Sequence, residues 1–223
     1  MKIGINTGHF GTVGAEGYLS EIACNTAIAA HLVPLLKAAG HKVTEINDAA
    51  APDYISATKM ANRHSLDLLI SIHCNSSINE RAEGTEVLYF EGNGKTAALA
   101  KKMSAEIAGI IGTKDRGAVA RRDLYILKNT TAPAVLAECF FVSNKSDCRK
   151  YNAQKIASAI CRAVGNTENK YSYDKTVDNM IADGITTKEN MAYWEKALSG
   201  RSEFKAEYVR AVLDRYHEKC NGQ

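Results

Sequence analysis

Three apolar runs of this sequence end in residues that suit a hydrolytic metal site: His9, His73 and Glu138. Such runs are typical of buried strands in a parallel sheet, and open α/β sheets bind ligands beyond the carboxyl ends of their strands. A carboxylate placed after so apolar a strand must be hydrogen-bonded, paired with a charge or associated with a metal. We therefore expect these three side chains to meet at one edge of a sheet.

A fourth candidate is Glu21, which opens the amphipathic segment at residues 21–28. The first turn of a helix there would direct the carboxylate back toward the end of the first strand. Glu16 is the nearest alternative, but it lies among glycines in a loop. We therefore favour Glu21.

Five ordered segments carry a resemblance to a known enzyme family. They are Gly8-His9, Glu21 with Asn25, SIHCN at 71–75, GTEVLY at 84–89 and PAVLAECFFVSN at 133–144. In this order they resemble the zinc-dependent N-acetylmuramoyl-L-alanine amidases, the peptidoglycan hydrolases of bacterial cell-wall remodelling and of phage endolysins. The resemblance covers about residues 1–165 and implies a phage or prophage endolysin of a clostridia-like host.

The resemblance implies that His9, Glu21 and His73 are zinc ligands and that Glu138 is the catalytic carboxylate. The donor set agrees, because catalytic zinc commonly has three protein ligands, two histidines and a glutamate among the known sets. The implied reaction is hydrolysis of the amide between N-acetylmuramic acid and L-alanine in peptidoglycan. Two alternatives stay open: a zinc peptidase acting on the stem peptide, and a non-catalytic wall-binding protein with the same fold.

Three positions depart from the family's usual pattern. Phe140 stands where a glycine is frequent, and Ala57 stands where many members have an arginine. His9 is followed by Phe10-Gly11 rather than by glycines and small residues. The last departure predicts a more apolar groove floor beside the metal.

The composition is that of an ordinary globular protein. The chain has 223 residues, of which 45% are hydrophobic and 24% charged, enough for one α/β core and a small further module. A net charge of +3 does not indicate a nucleic-acid partner. The first residues enter an apolar strand directly, so we expect no signal peptide and no integral membrane association. The expected protein is made in the cytoplasm and acts on the cell wall after release.

The six cysteines form no C-x-x-C pair, and we expect free thiols, as in a reducing cytoplasm. They are Cys24, Cys74, Cys139, Cys148, Cys161 and Cys220. Cys74 and Cys139 each follow a candidate site residue. Strand alternation directs each thiol away from that neighbour, which argues against a cysteine nucleophile.

Alternating strand and helix patterns predict an α/β fold with a mainly parallel sheet covered on both faces. The resemblance implies a twisted six-stranded sheet flanked by helices. After the first strand, we expect strands at 42–46, 68–73, 86–91, 124–127 and 133–138, with helices at 17–39, 55–64, 96–111 and 145–164. Pro34 is expected to kink or break the first of these helices.

The chain is predicted to change character after the catalytic domain at residues 1–165. Residues 166–171 are polar and predict a linker. Residues 172–223 predict a small module of three helices. Cell-wall binding, docking on the catalytic domain and homo-oligomerisation stay open as its role.

Overall fold

The structure is a computed structural model that describes residues 1–12, 14–47 and 53–165. The described residues contain strands β1 (Lys2–Thr7), β2 (Lys42–Glu45), β3 (Leu68–Asn75), β4 (Thr85–Phe90), β5 (Asp115–Arg121) and β6 (Ala134–Phe141). The helices are α1 (Glu21–Ala38), α2 (Tyr54–Arg63), α3 (Gly94–Ile111), α4 (Tyr125–Asn129), α5 (Lys145–Lys150) and α6 (Ala153–Val164). The expected α/β class is confirmed.

The six strands form one sheet in the order β2-β1-β3-β6-β4-β5. All neighbouring pairs are parallel except β4 with β6, so the sheet is mainly parallel, as predicted. The carboxyl ends of β1, β3 and β6 consequently lie at one edge. In this register Thr7 pairs with Ile72, and His73 pairs with Glu138.

Helices cover both faces of the sheet. Helices α1, α3 and α6 pack on one face, where Leu32, Met103 and Ile160 belong to the larger apolar core. Helices α2 and α4 pack on the other face, around a smaller core that includes Leu69 and Leu136. Because strand side chains alternate between faces, His73 and Glu138 lie on the α2 and α4 side.

One predicted strand is wrong. The segment at 124–127 does not join the sheet and instead leads into the short helix α4. Its residues Ile126 and Leu127 pack on the sheet face. The sixth strand is β5, which the sequence pattern did not reveal. Its sequence, DRGAVAR, lacks a long apolar run because β5 lies at the edge of the sheet.

Three helix predictions also change. Helix α1 begins at Glu21 rather than at residue 17, because Glu16 and Ser20 form a β-bridge before it. It continues through Pro34 without a break. The single helix expected at 145–164 is two helices, and the side chain of Asn152 accepts a hydrogen bond from Lys155 N as it caps the second.

Asp147, at the start of α5, joins two strands that serve the candidate site. Its Oδ2 accepts hydrogen bonds from Gly84 N at 2.8 Å and from Phe141 N at 3.1 Å, and the residue is fully buried. Gly84 precedes β4 and Phe141 ends β6. The carboxylate therefore fixes the ends of these two strands against each other.

Free thiols are confirmed at Cys24, Cys74, Cys139 and Cys148, while the expectation for Cys161 stays a prediction. Cys74 and Cys139 are buried in the larger core, as strand alternation predicts. Cys220, the linker at 166–171 and the helical module at 172–223 lie outside the described residues. Within the described ranges, no helix combines the length and the apolar character needed to cross a membrane.

Candidate active site

His9, Glu21 and His73 meet at the carboxyl edge of the sheet. His73 Nδ1 lies 3.0 Å from Glu21 Oε1, and His9 Nε2 lies 3.5 Å from Glu21 Oε2. One donor atom from each of the three residues lies within 4.8 Å of the others. The expected convergence of strand ends and helix start therefore occurs.

Glu21 is the centre of this cluster and is only 3% exposed. Its Oε2 accepts a hydrogen bond from Ala15 N at 2.8 Å, and its Oε1 accepts one from Cys74 N at 3.2 Å. Burial alone raises the pKa of Glu21, but hydrogen bonds from His73 and Ala15 and the positive charges of His73 and His9 lower that pKa to about 2. The carboxylate is therefore ionised at neutral pH.

Glu16, the alternative to Glu21, lies outside the cluster. Its Oε1 accepts a hydrogen bond from Ser20 Oγ at 2.7 Å on the exposed side of the loop. The preference for Glu21 over Glu16 as the cluster's carboxylate therefore agrees with the structure.

The backbone at His9 is unusual. Its φ is +60°, and His9 is the one described non-glycine residue with positive φ. Such a conformation is uncommon and persists where surrounding contacts impose it. One such contact is the hydrogen bond that Asn25 Nδ2 donates to Gly8 O at 3.2 Å, from one turn beyond Glu21 on α1. Helix α1 therefore supplies the carboxylate and also holds the chain that carries His9.

Two glycines allow close approach within the cluster. A Cβ atom on Gly8 would lie 2.3 Å from His73 Cε1, and one on Gly14 would lie 3.0 Å from Glu21 Oε2. Side chains at either position would occupy space that the imidazole or the carboxylate now fills. Positions 8 and 14 therefore require glycine, and the sequence pattern alone did not reveal this requirement.

Glu138 lies beside the cluster, as the register partner of His73. Its Oε2 is buried and has no hydrogen-bond partner among the described residues. Burial raises the pKa of Glu138 to about 7, with His73 opposing the rise and the charges of Glu21 and Glu86 adding to it. A carboxyl group with such a pKa can both accept and release a proton near neutral pH.

Glu86 is the cross-strand partner of Glu138 on the antiparallel strand β4. Unlike Glu138, it is held by two partners: Arg116 Nε donates to Oε2 at 2.7 Å, and Asn75 Nδ2 donates to Oε1 at 3.1 Å. Sequence reasoning included Glu86 in a motif but gave it no role. Its effect here is to bring a second carboxylate next to Glu138.

The cluster fits a metal ion by its donor chemistry. Two imidazole nitrogens and one carboxylate oxygen converge, which is a donor set that catalytic zinc uses. The unpartnered oxygen of Glu138 next to them is what an acid-base group requires.

A cavity of about 500 Å³ adjoins the cluster, and both His9 and His73 line it. Phe10 and Ala57 also line it, so two of the departures from the family pattern contribute to an apolar surface, as the Phe10-Gly11 sequence predicts. Tyr54 and Tyr125 line it too. They come from different helices, and no local pattern in the sequence pointed to them. Phe140, the third departure, is buried in the core instead, with its ring 5.1 Å from that of Tyr151.

Substitution of Gly8 tests how closely the cluster depends on space. In Gly8→Ala the new methyl group must displace the His73 ring, so we expect the Zn²⁺ affinity to fall by about 10- to 100-fold, as for other changes that misplace a ligand. Competition titration with a chelating indicator measures this affinity. The control is Gly109→Ala, because a Cβ there meets nothing within 4 Å. Equal affinities for Gly8→Ala and Gly109→Ala would contradict the expectation.

Two known bacterial proteins are similar to this chain in sequence. The chain is 31% identical over 177 residues to an uncharacterized Bacillus subtilis protein, covering 77% of this chain and 84% of that protein. It is 30% identical over 178 residues to an uncharacterized Clostridium perfringens protein, covering 75% of this chain but only 52% of that relative.

Solved structures of amidase domains have the same fold as this chain. The catalytic domain of the CD27L endolysin targeting Clostridia difficile superposes with a TM-score of 0.68 at 30% identity, covering 75% of this chain and 99% of that domain. The CwlD amidase from Clostridioides difficile, solved with the GerS lipoprotein, gives a TM-score of 0.67 at 25% identity, covering 73% of this chain and 95% of that one. Residues 3–167 match the N-acetylmuramoyl-L-alanine amidase family. All four candidate site residues lie within this matched range. The chain belongs to the N-acetylmuramoyl-L-alanine amidase family.

Proposed function

We propose that this protein is a zinc-dependent hydrolase that cleaves the amide bond between N-acetylmuramic acid and L-alanine in peptidoglycan. The observation that carries the proposal is the cluster of His9, Glu21 and His73 beside the unpartnered carboxylate of Glu138. Membership of the amidase family supports the substrate and the bond. A pure wall-binding protein would have no use for this arrangement.

In the proposed mechanism, His9, Glu21 and His73 hold the metal. When bound, Zn²⁺ lowers the pKa of a water molecule to about 7 and polarises the carbonyl oxygen of the amide. The hydrogen bonds from Ala15 N and Cys74 N hold Glu21 in place and keep it ionised. Gly8 and Asn25 fix the positions of the two imidazoles relative to that carboxylate.

Glu138 is the proposed general base and acid. Its free Oε2 takes a proton from the attacking water, and the same oxygen returns that proton to the departing amine of L-alanine. Neighbouring Glu86 cannot take this role as readily, because Arg116 and Asn75 occupy both of its oxygens. The two carboxylates are chemically alike, and their hydrogen-bond partners assign them different roles.

We extend the proposal to the cellular setting: an endolysin that acts on a clostridia-like cell wall. The similarity to the CD27L endolysin domain, which spans 99% of that domain, supports this extension. The similarity to the CwlD amidase from Clostridioides difficile supports the amidase chemistry, because that protein has the same fold. Lysis of intact clostridial cells by added protein tests the endolysin role separately from the chemistry.

Product analysis tests the reaction. Digestion of purified peptidoglycan should release peptides that begin with L-alanine and leave the glycan strands intact, as read by mass spectrometry. Prior chelation should abolish release, and added Zn²⁺ should restore it. Peptides cut internally would instead indicate a stem-peptide peptidase, and binding without any product would indicate a wall-binding protein.

The ligand assignment is tested by metal content. His9→Ala and His73→Ala should each lose most bound zinc, because each removes one of three donors. His31→Ala is the matched control, since His31 is an exposed histidine of α1 outside the cluster. Elemental analysis after gel filtration gives the stoichiometry. Full zinc occupancy in the double variant of His9 and His73 would refute the assignment.

The role of Glu138 is tested by Glu138→Gln. The amide keeps the shape of the side chain but cannot accept the proton, so kcat should fall by ~10²–10⁴-fold while zinc content stays unchanged. Glu91→Gln is the control, because Glu91 is a surface carboxylate paired with Arg122. If Glu138→Gln lost its zinc, Glu138 would be a ligand and the role of Glu21 would need reassignment.

A further inference from the structure

Tyr54 and Tyr125 form an aromatic wall in the cavity beside the metal cluster, and the proposed mechanism does not use them. They are the first residues of α2 and α4, and their ring centroids lie 5.5 Å apart at an interplanar angle of 61°. Both stay accessible, at 60% and 37% exposure. Large accessible tyrosines inside a cavity provide apolar surface together with a hydroxyl group.

The two acidic residues of the cavity are already engaged. Asp53 caps α2: its Oδ1 accepts from Ile55 N and Ser56 N, and its Oδ2 accepts from Ser56 Oγ. Asp123 receives two hydrogen bonds from the guanidinium of Arg121, one on each oxygen. Neither carboxylate is therefore a free anion for a ligand.

The amides of the cavity are also satisfied within the protein. Asn6 Nδ2 donates to Ile46 O at 3.0 Å, and Asn6 Oδ1 accepts from Ser71 Oγ at 2.7 Å. Asn47 Oδ1 accepts from Thr7 N at 2.9 Å, and Asn47 Nδ2 donates to Thr7 Oγ1 at 3.2 Å. The remaining surface is largely apolar and includes Leu136.

The charge of this cavity distinguishes the two halves of the substrate. No lysine or arginine is among the described residues that line it. A stem peptide carries free carboxylates. Apart from the proposed metal ligands His9 and His73, the described lining offers these carboxylates no basic side chain, and Asp53 lies there as a like charge. An N-acetylmuramoyl residue joined through its lactyl amide is neutral, with apolar ring faces and a few hydrogen-bonding groups. Such a ligand matches a mostly apolar site with few polar groups.

Because His9 and His73 line the same cavity, its occupant must adjoin the bond being cut. We propose that Tyr54 and Tyr125 form the subsite for the N-acetylmuramoyl sugar, so that the glycan, and not the stem peptide, lies between α2 and α4. This inference rests on the proposed amidase function. It identifies the two tyrosines as residues that select a glycan-bearing substrate.

The test compares two substrates with the same stem peptide. One carries the GlcNAc–MurNAc disaccharide, and the other carries only a lactoyl group. Tyr54→Ala and Tyr125→Ala should each lower kcat/KM for the disaccharide substrate about tenfold, mainly through KM, as expected when an aromatic contact is lost. The lactoyl peptide should be affected less than about twofold. Tyr54→Phe, which keeps the ring, should retain most of the activity.

Ile55→Ala is the matched control for helix α2, because Ile55 is an exposed neighbour of Tyr54 that does not line the cavity. It should leave both substrates unaffected. Equal losses on both substrates, or a loss in Ile55→Ala as large as in Tyr54→Ala, would overturn the subsite.

A binding measurement separates this inference from the proposed function. The neutral N-methylamide of GlcNAc–MurNAc, titrated into the metal-free protein, should shift the NMR ring resonances of Tyr54 and Tyr125 but not those of Tyr89. Shifts at these rings with no hydrolysis by the zinc-loaded protein would refute the function and keep the sugar site. Hydrolysis without any such shifts would refute the sugar site alone.

Discussion

The ionised carboxylate of Glu21, almost fully removed from solvent, is the interaction on which the site depends. A buried charge is costly unless charges and hydrogen bonds surround it. Here the loop supplies Ala15 N, strand β3 supplies Cys74 N and His73, and the end of β1 supplies His9. Three separate parts of the fold must therefore be in place together before this charge is stabilised. The position of Glu21 in the first turn of α1 adds the favourable end of the helix dipole.

The one antiparallel pairing of the sheet gives the site a pair of carboxyl groups in addition to Glu21. Because β4 runs opposite to β6, it begins at the edge where β6 ends, and Glu86 lies across from Glu138. A parallel β4 would have put its amino end at the far edge. Arg116 and Asn75 then donate hydrogen bonds to the two oxygens of Glu86, while Glu138 keeps one buried oxygen without a partner. The strand reversal thus produces two adjacent carboxyl groups with different hydrogen-bond surroundings.

Much of the site could be predicted because its side chains follow apolar runs that fit only buried strands. His73 and Glu138 are register partners for that reason, and Glu21 follows from the start of an amphipathic helix. The backbone donors to Glu21 and the left-handed conformation of His9 could not be predicted, since they depend on loop geometry rather than on residue type. The short run at 124–127 fits a strand and a buried helix equally well, so α4 was missed. The place of Tyr125 in the cavity could not be predicted either, because its contact with Tyr54 depends on the packing of α2 against α4.

Buried polar atoms without hydrogen-bond partners are found around the candidate metal cluster, whereas the amides of the adjoining cavity have partners. Nearly all buried polar atoms in folded proteins have partners, and each exception costs about 1–3 kcal/mol. In the described part of the chain, two of the exceptions, Glu138 Oε2 and Asn25 Oδ1, belong to residues beside the cluster or holding its backbone. The neighbouring cavity is the opposite, because Asn6 and Asn47 satisfy their hydrogen bonds internally. In the proposed mechanism, the fold leaves an unpaired oxygen at the residue that transfers the proton, and it presents a mostly apolar surface at the proposed sugar site.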